Sequence, residues 1–178
     1  MTAHRLAAEY DTGAILGRRA IAIDPRWNAW TLAKKLDRPS LALLRDTARI
    51  FATGAPPTEL AQDDADATAA PEPDDDTLAI AWSEPTAAIV RRVRAAGPWP
   101  GAFTELGGDE LVVTRVAPVS QVPRALAPGE AAVVGGVAIV RTGDGAVALL
   151  EGRTSDGEPL GTAALAEAVE RRGRASED

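Results

Sequence analysis

The chain has 178 residues, 46% of them hydrophobic, a formal net charge of −7 and no cysteine. These figures leave room for one domain or two small ones, and they exclude disulfides and thiolate metal sites. A chain this acidic does not attract polyanions over its whole surface, so any nucleic-acid binding needs a local basic patch. The opening MTAHRLAAEYDTG carries no continuous apolar stretch of signal-peptide type, and no run approaches a membrane span of about 20 apolar residues. A soluble cytoplasmic protein is the expectation.

Residues 1–53 form the first segment. A turn is expected at Asp11–Gly13, with Thr12 between. Ala14, Ile15 and Leu16 then lead to AIAID, which reads as strand. From Asn28 the pattern turns helical, with Trp30, Ala33 and Leu36 at three-residue steps. Pro39 is expected to end that helix, because it has no N–H and restricts Arg38. Ser40 would cap a second helix lined on one face by Leu41, Leu44, Ala48 and Phe51, with Gly54 closing it.

Residues 54–82 read as a linker: four prolines, Pro56, Pro57, Pro71 and Pro73, and seven acids between Asp63 and Asp76, with no base, leave little to bury and much to repel. Residues 83–178 open with a helix capped by Ser83, with Ile89, Val93 and Ala96 on one side and Arg91, Arg92 and Arg94 on the others. Gly97 and Pro98 stop it. Five strand signals follow, AFTEL, ELVVTRVAPV, EAAVVGG, VAIVRT and AVALLEG. Turns are expected between them at Gly107–Asp109, Pro128–Gly129, Gly135–Gly136 and Thr142–Gly145. A last helix covers roughly 162–172. The expected class is α+β, ending in a small antiparallel barrel or sandwich with flanking helices.

The run RAAGPWPGAFTEL, Arg94 to Leu106, resembles the start of the C-terminal domain of methionyl-tRNA formyltransferases. LAIAW before it, LVVTRVAPV after it, APGEAAVV and VRTGDGAVALLE extend the likeness. Upstream, TAHRLAAEYDTGAILGRRAIAI resembles the last strand and active-site loop of that family's catalytic domain. TLAKKL and LALLRDTARIFATG resemble its two closing helices, and Gln62 falls where the family often has a Gln. The resemblance implies a remnant of an α/β formyltransferase domain (one strand, two helices), then a linker and an OB-like barrel. It also implies a reaction, formyl transfer from 10-formyltetrahydrofolate to the amino group of Met-tRNA. The family's Ser-x-His-x-Ser-Leu-Leu-Pro segment, with the catalytic Asn and His, has no counterpart among these residues. The chain is therefore expected to be inactive alone. Three arrangements would account for that: a start assigned too late, a genuine remnant, or a separate chain carrying the folate-binding half.

By resemblance, Asp11 holds the catalytic Asp position and Gly13 allows close approach of substrate; as residues, the two equally describe an ordinary Asx-type turn. Arg91, Arg94 and their neighbour Arg92, with Arg115, Arg124 and Arg141, are candidates for a tRNA-contacting face; a solvated helix face is the competing reading. Trp82, Trp99 and Phe103 are expected to build a hinge core between helix and barrel, with base stacking as the alternative. His4 matches no family position and is assigned no role. One histidine and no cysteine make a metal site unexpected. TGDG reads as a hairpin turn, since it lacks the strand–loop–helix setting of a phosphate loop. A non-catalytic RNA- or protein-binding module, and a formyltransferase acting on a sugar or metabolite amine, are the rival functions.

Overall fold

The computed structural model describes residues 1–106, 108–120 and 126–175. The chain divides into two compact units, Met1–Trp27 with Thr31–Glu72, and Asn28–Trp30 with Pro73 onward.

In the first unit, β1 (Thr2–His4) pairs antiparallel with β2 (Ile15–Arg18). Leu60 extends this pair through reciprocal backbone hydrogen bonds with Ile15, 2.8 and 3.0 Å long. The strand signal at AIAID does not become a strand. Among the described residues no segment pairs with it, and Ile23 stands exposed. A strand needs a partner for its N–H and C=O groups as much as it needs β-branched residues.

Instead of two helices there is one, α1 (Ala29–Ala52), running straight through Pro39. The proline leaves the Lys35 carbonyl without its helical donor, a cost of about 3 kcal/mol in a helix interior. The position offsets this: Leu36, Pro39, Leu43 and Thr47 follow a three–four spacing on the least exposed side of the helix. The ring is therefore part of the packed stripe, and the hydrogen-bond ladder resumes beyond it. Thr47 Oγ1 also donates to the Leu43 carbonyl, 2.9 Å. The second stripe expected from the sequence, with Leu41, Leu44 and Phe51, forms as a face and is exposed.

The second unit holds α2 (Asp75–Leu78), α3 (Thr86–Ala96) and a six-stranded antiparallel sheet. Its strands are β3 (Ala102–Leu106), β4 (Asp109–Val119), β5 (Ala131–Val134), β6 (Val137–Arg141), β7 (Ala146–Thr154) and β8 (Pro159–Gly161), and α4 (Thr162–Ala175) follows. The order is β3-β4-β7-β6-β5, with β8 beside β7. β7 is long enough that β6 pairs with its first half and β8 with its second. Register shifts around Arg115 bend β4 against β7 and help the sheet curl. The five expected strands are all present; β8 was not anticipated.

The core lies between α3, α4 and the sheet. Ile89 and Val93 share one buried cluster with Val113, Val140, Val147, Leu149 and Leu165. A second small cluster, Ile139 with Ala146 and Ala148, occupies the other face of β6 and β7. Both strands thus bury alternate residues on opposite sides, which explains their near-continuous apolar sequences. Residues 78–82, within the stretch read as linker, belong to this core: Ile80 and Trp82 are buried, and Ile80 N–H donates to the Phe103 carbonyl, 2.8 Å.

Helix α3 does not take its cap from Ser83. Pro85 is the N-cap and offers no side chain for capping. Asp144 substitutes from 58 residues away, its Oδ1 accepting from Thr86 N–H (2.7 Å) and Thr86 Oγ1 (2.9 Å). TGDG is thus a hairpin turn, and it also caps a helix. The two Thr86 bonds hold the Asp144 carboxyl below its ordinary pKa, backbone bond first, with a smaller contribution from Arg141. This stabilisation is full above the unfolded carboxyl value of about 3.9 and is lost as pH falls through the lower folded value. Asp144→Asn keeps the Oδ1 acceptor and removes the charge, so a small fall in melting temperature is expected at neutral pH. In thermal melts across pH 2–7 its curve should merge with the native one at the acid end.

Candidate functional site

In the first unit the chain doubles back after β1 and sets Asp11 in a tight loop. Asp11 has φ +58°, in the left-handed region that Asp tolerates better than most residues. Gln62 clamps the loop from outside, its Nε2 donating to the carbonyls of Asp11 (2.5 Å) and Gly13 (2.7 Å). Thr12 Oγ1 donates to the Glu9 carbonyl, 3.1 Å. The Asp11 carboxylate is left pointing outward, 91% accessible. Gly13 is buried, and a Cβ there would lie 1.9 Å from the Arg5 carbonyl oxygen. The backbone of Arg5 is thus what occupies the space a side chain would need. Arg5 itself pairs with Glu59 at 2.5 Å and lies over the Phe51 ring, so three segments fix the loop's base.

His4 stands next to this carboxylate. Its Nε2 is 3.4 Å from Asp11 Oδ1, while Nδ1 lies 2.9 Å from the Arg5 carbonyl. A carbonyl only accepts, so Nδ1 carries a hydrogen, and the contact with Asp11 becomes an ion pair only when the ring holds both protons. His4 has no expected role from its place in the sequence. The seven-residue return of the chain from His4 to Asp11 brings the two together, and no periodicity records it. His4 also lines a cavity of about 340 Å³ with Met1, Leu6, Leu16, Leu43 and Leu44.

In the second unit the candidate arginines have unequal freedom. Arg92 is paired with Glu84 through both guanidinium nitrogens, Nη2 donating to Oε1 at 3.0 Å and Nη1 to Oε2. This pairing lowers the Glu84 carboxyl pKa. Arg115 is paired with Glu151 at 2.7 Å. Arg91 is exposed and makes no ion pair among the described residues; Arg94 is half-buried on the same helix. Arg141 sits at the end of β6, near enough to Asp144 to lower its pKa. Arg124 lies outside the described residues, as does Gly107 of the first expected turn. Arg91 and Arg92 edge a cavity of about 460 Å³ walled by Leu78, Ala95, Ala96 and Pro100.

The aromatic residues separate. Trp82 is core, 8% exposed, with Nε1–H donating to Thr104 Oγ1 at 2.8 Å. Phe103 is half-buried. Trp99 is 74% exposed, which corrects the expectation that all three build a hinge core. The proline-flanked turn 97–101 does join α3 to β3, but it holds its indole outward. Arg153 reaches over that ring, 4.7 Å from guanidinium carbon to centroid, and its Nη2 donates to the Pro100 carbonyl at 2.7 Å. The Nε–H of Arg153 is buried without a partner among the described residues. Among those residues no group of three or more His, Asp or Glu is placed to hold a metal, and no helix is long and apolar enough to cross a membrane.

The comparisons with known proteins agree with this architecture. The family described as "Formyl transferase, C-terminal domain" matches residues 74–169. A methionyl-tRNA formyltransferase of Solibacter usitatus is 37% identical over 151 residues, covering 85% of this chain and 48% of its own length. One of Anaeromyxobacter dehalogenans is 35% identical over 155 residues, covering 86% and 49%. The chain thus spans about half the length of the curated relatives it matches. Among solved structures, HypX from Aquifex aeolicus superposes with a TM-score of 0.74 at 20% identity, over 91% of this chain and 30% of that one. HypX in complex with tetrahydrofolic acid gives 0.72 at the same identity, over 91% and 28%. At that identity HypX speaks for the fold alone; the family match, which covers more than half of the residues, makes the chain a member of the formyltransferase family through its C-terminal domain.

Proposed function

We propose that this chain supplies the tRNA-side half of a methionyl-tRNA formyltransferase. The reaction would be formyl transfer from 10-formyltetrahydrofolate to the amino group of Met-tRNA, in the initiation of translation. The observation that carries the reading is the Asp11 loop: an outward carboxylate on a backbone clamped by Gln62, in a chain that matches methionyl-tRNA formyltransferases over most of its length. In the transfer, the substrate amine forms a bond to the formyl carbon, the donor nitrogen leaves, and the amine gives up a proton. Asp11 would orient the groups that carry that proton, with Gly13 keeping the loop tight. Arg91 and Arg94 would meet the tRNA backbone.

One carboxylate is not an active site by itself. We propose that these residues alone do not turn over, and that the folate-binding half must be supplied, on the same chain or on a separate one. The exposed stripe of Leu41, Leu44 and Phe51 on α1 supports this, since an apolar face of that kind calls for a covering surface. The test is formylation of charged initiator tRNA with the folate donor. The chain alone should give no product. Mixed with the first half of a curated relative, it should give product, and Asp11→Asn should then cut the rate by roughly 10²–10⁴. Turnover by the chain alone, or an unaffected Asp11→Asn mixture, would overturn the reading. A second reading, a non-catalytic RNA-binding module, is favoured by the exposed Trp99 and is tested next.

A further inference from the structure

Trp99 is the residue that core building does not explain. The chain has only four tryptophans, and this one is kept in solvent by a turn with proline on both sides. Proline fixes φ, so ordering the turn around a ligand sacrifices little conformational freedom. Arg153 lies on one ring face and is tethered to Pro100, so the accessible area must come from the other face and the edges. Beyond Pro100, which also walls the 460 Å³ cavity, stands exposed Arg91.

We propose that Trp99 is a stacking platform for an unpaired nucleobase of a bound RNA strand. Every base presents a π-face to an indole, and a guanidinium beside the stack suits a strand that carries phosphates. Arg91 is the group free to meet a neighbouring phosphate. Asp74, next in sequence to the cavity-lining Pro73, spends its carboxylate on Thr77 N–H (2.8 Å) and Thr77 Oγ1 (2.6 Å). Asp75 and Asp76 follow it, so the strand can touch only one or two cations here. The salt dependence should be correspondingly shallow, a log–log slope of about −1. One ring and one guanidinium are too small an apolar patch for a stable protein interface, which is why a base is favoured over a second copy of the chain. The proposal rests on the preceding reading only for which RNA is met in the cell.

The experiment titrates the full chain at low salt with an eight-nucleotide oligoadenylate RNA. An abasic oligomer of the same length, which keeps the phosphates and removes the bases, serves as its counterpart. Tryptophan fluorescence should be quenched by the oligoadenylate. Trp99→Phe should retain most of the affinity and lose most of the quench. Trp99→Ala should bind roughly ten- to hundredfold more weakly while melting like the native chain. The proposal is overturned if Trp99→Ala binds as tightly as the native chain, if the abasic oligomer binds equally well, or if neither oligomer binds. It is also overturned if the Trp99 emission shifts with protein concentration in the absence of RNA, which would mean a second copy covers the ring. Formylation by the mixed halves is read separately, so the stacking proposal and the catalytic reading can fail independently.

Discussion

Trp82→Ala is expected to destabilise the second unit by about 3–5 kcal/mol, the range for losing a buried Trp or Phe side chain. The indole is packed within the main core, against the α-carbon side of Gly129. The substitution also leaves the Thr104 hydroxyl, buried in β3, without its indole donor. A domain of this size has roughly 5–15 kcal/mol in total, so a large share of its stability would go. Denaturant titration should show the midpoint falling sharply. Trp82→Phe should recover the ring packing but not the hydrogen bond, and lie between. Trp99→Ala, three residues beyond the end of α3 at Ala96, should cost no more than about 1 kcal/mol, the value of an exposed cation–π contact. Equal effects at the two tryptophans would mean the division between core and surface is wrong.

Gly143→Ala is the second large effect. A Cβ at this position would lie 2.1 Å from the Ser83 carbonyl oxygen and 2.9 Å from its carbon. Those are backbone atoms, so no side chain can swing aside. The hairpin would have to move off the entry to α3, losing the Gly143 N–H bond to the Glu84 carbonyl (2.9 Å) and the Asp144 cap together. Overpacking of this kind costs about 3 kcal/mol. Gly161→Ala is the comparison, since a Cβ there meets nothing within 4 Å. Its melting temperature should match the native protein's, whereas that of Gly143→Ala should drop by ten degrees or more.

Much of the second unit was legible in the sequence because its signals are local. Ile89, Val93 and Ala96 mark α3 by spacing, and the Gly- and Pro-rich turns separate strands whose alternation is plain. What was not legible depends on distance or on competition. Asp144 caps a helix that starts 58 positions before it, whereas Ser83 is the local capping residue type. Pro39 is a strong breaker locally, but its ring falls on the packed side of a 24-residue helix, and packing outweighed the lost bond. AIAID has strand composition without a partner. Trp99 has core chemistry, and only the turn geometry turns it outward. At the Asp11 loop the residues were found, while His4 and the clamp from Gln62 emerged only once the backbone path brought them together.

The remote cap has a consequence for synthesis. Helix α3 is 11 residues long, below the length at which an isolated helix holds in water. Its anion arrives with residue 144, which at roughly 5–20 residues per second follows about 3–12 seconds after Thr86 leaves the peptidyl-transferase centre. Throughout that interval the nascent helix lacks its anion and also β7, the central strand that joins β4 to β6. The ribosome must therefore extrude most of the second unit before any of it can settle, and the unit is expected to fold late, as one cooperative event rather than from its N-terminal end.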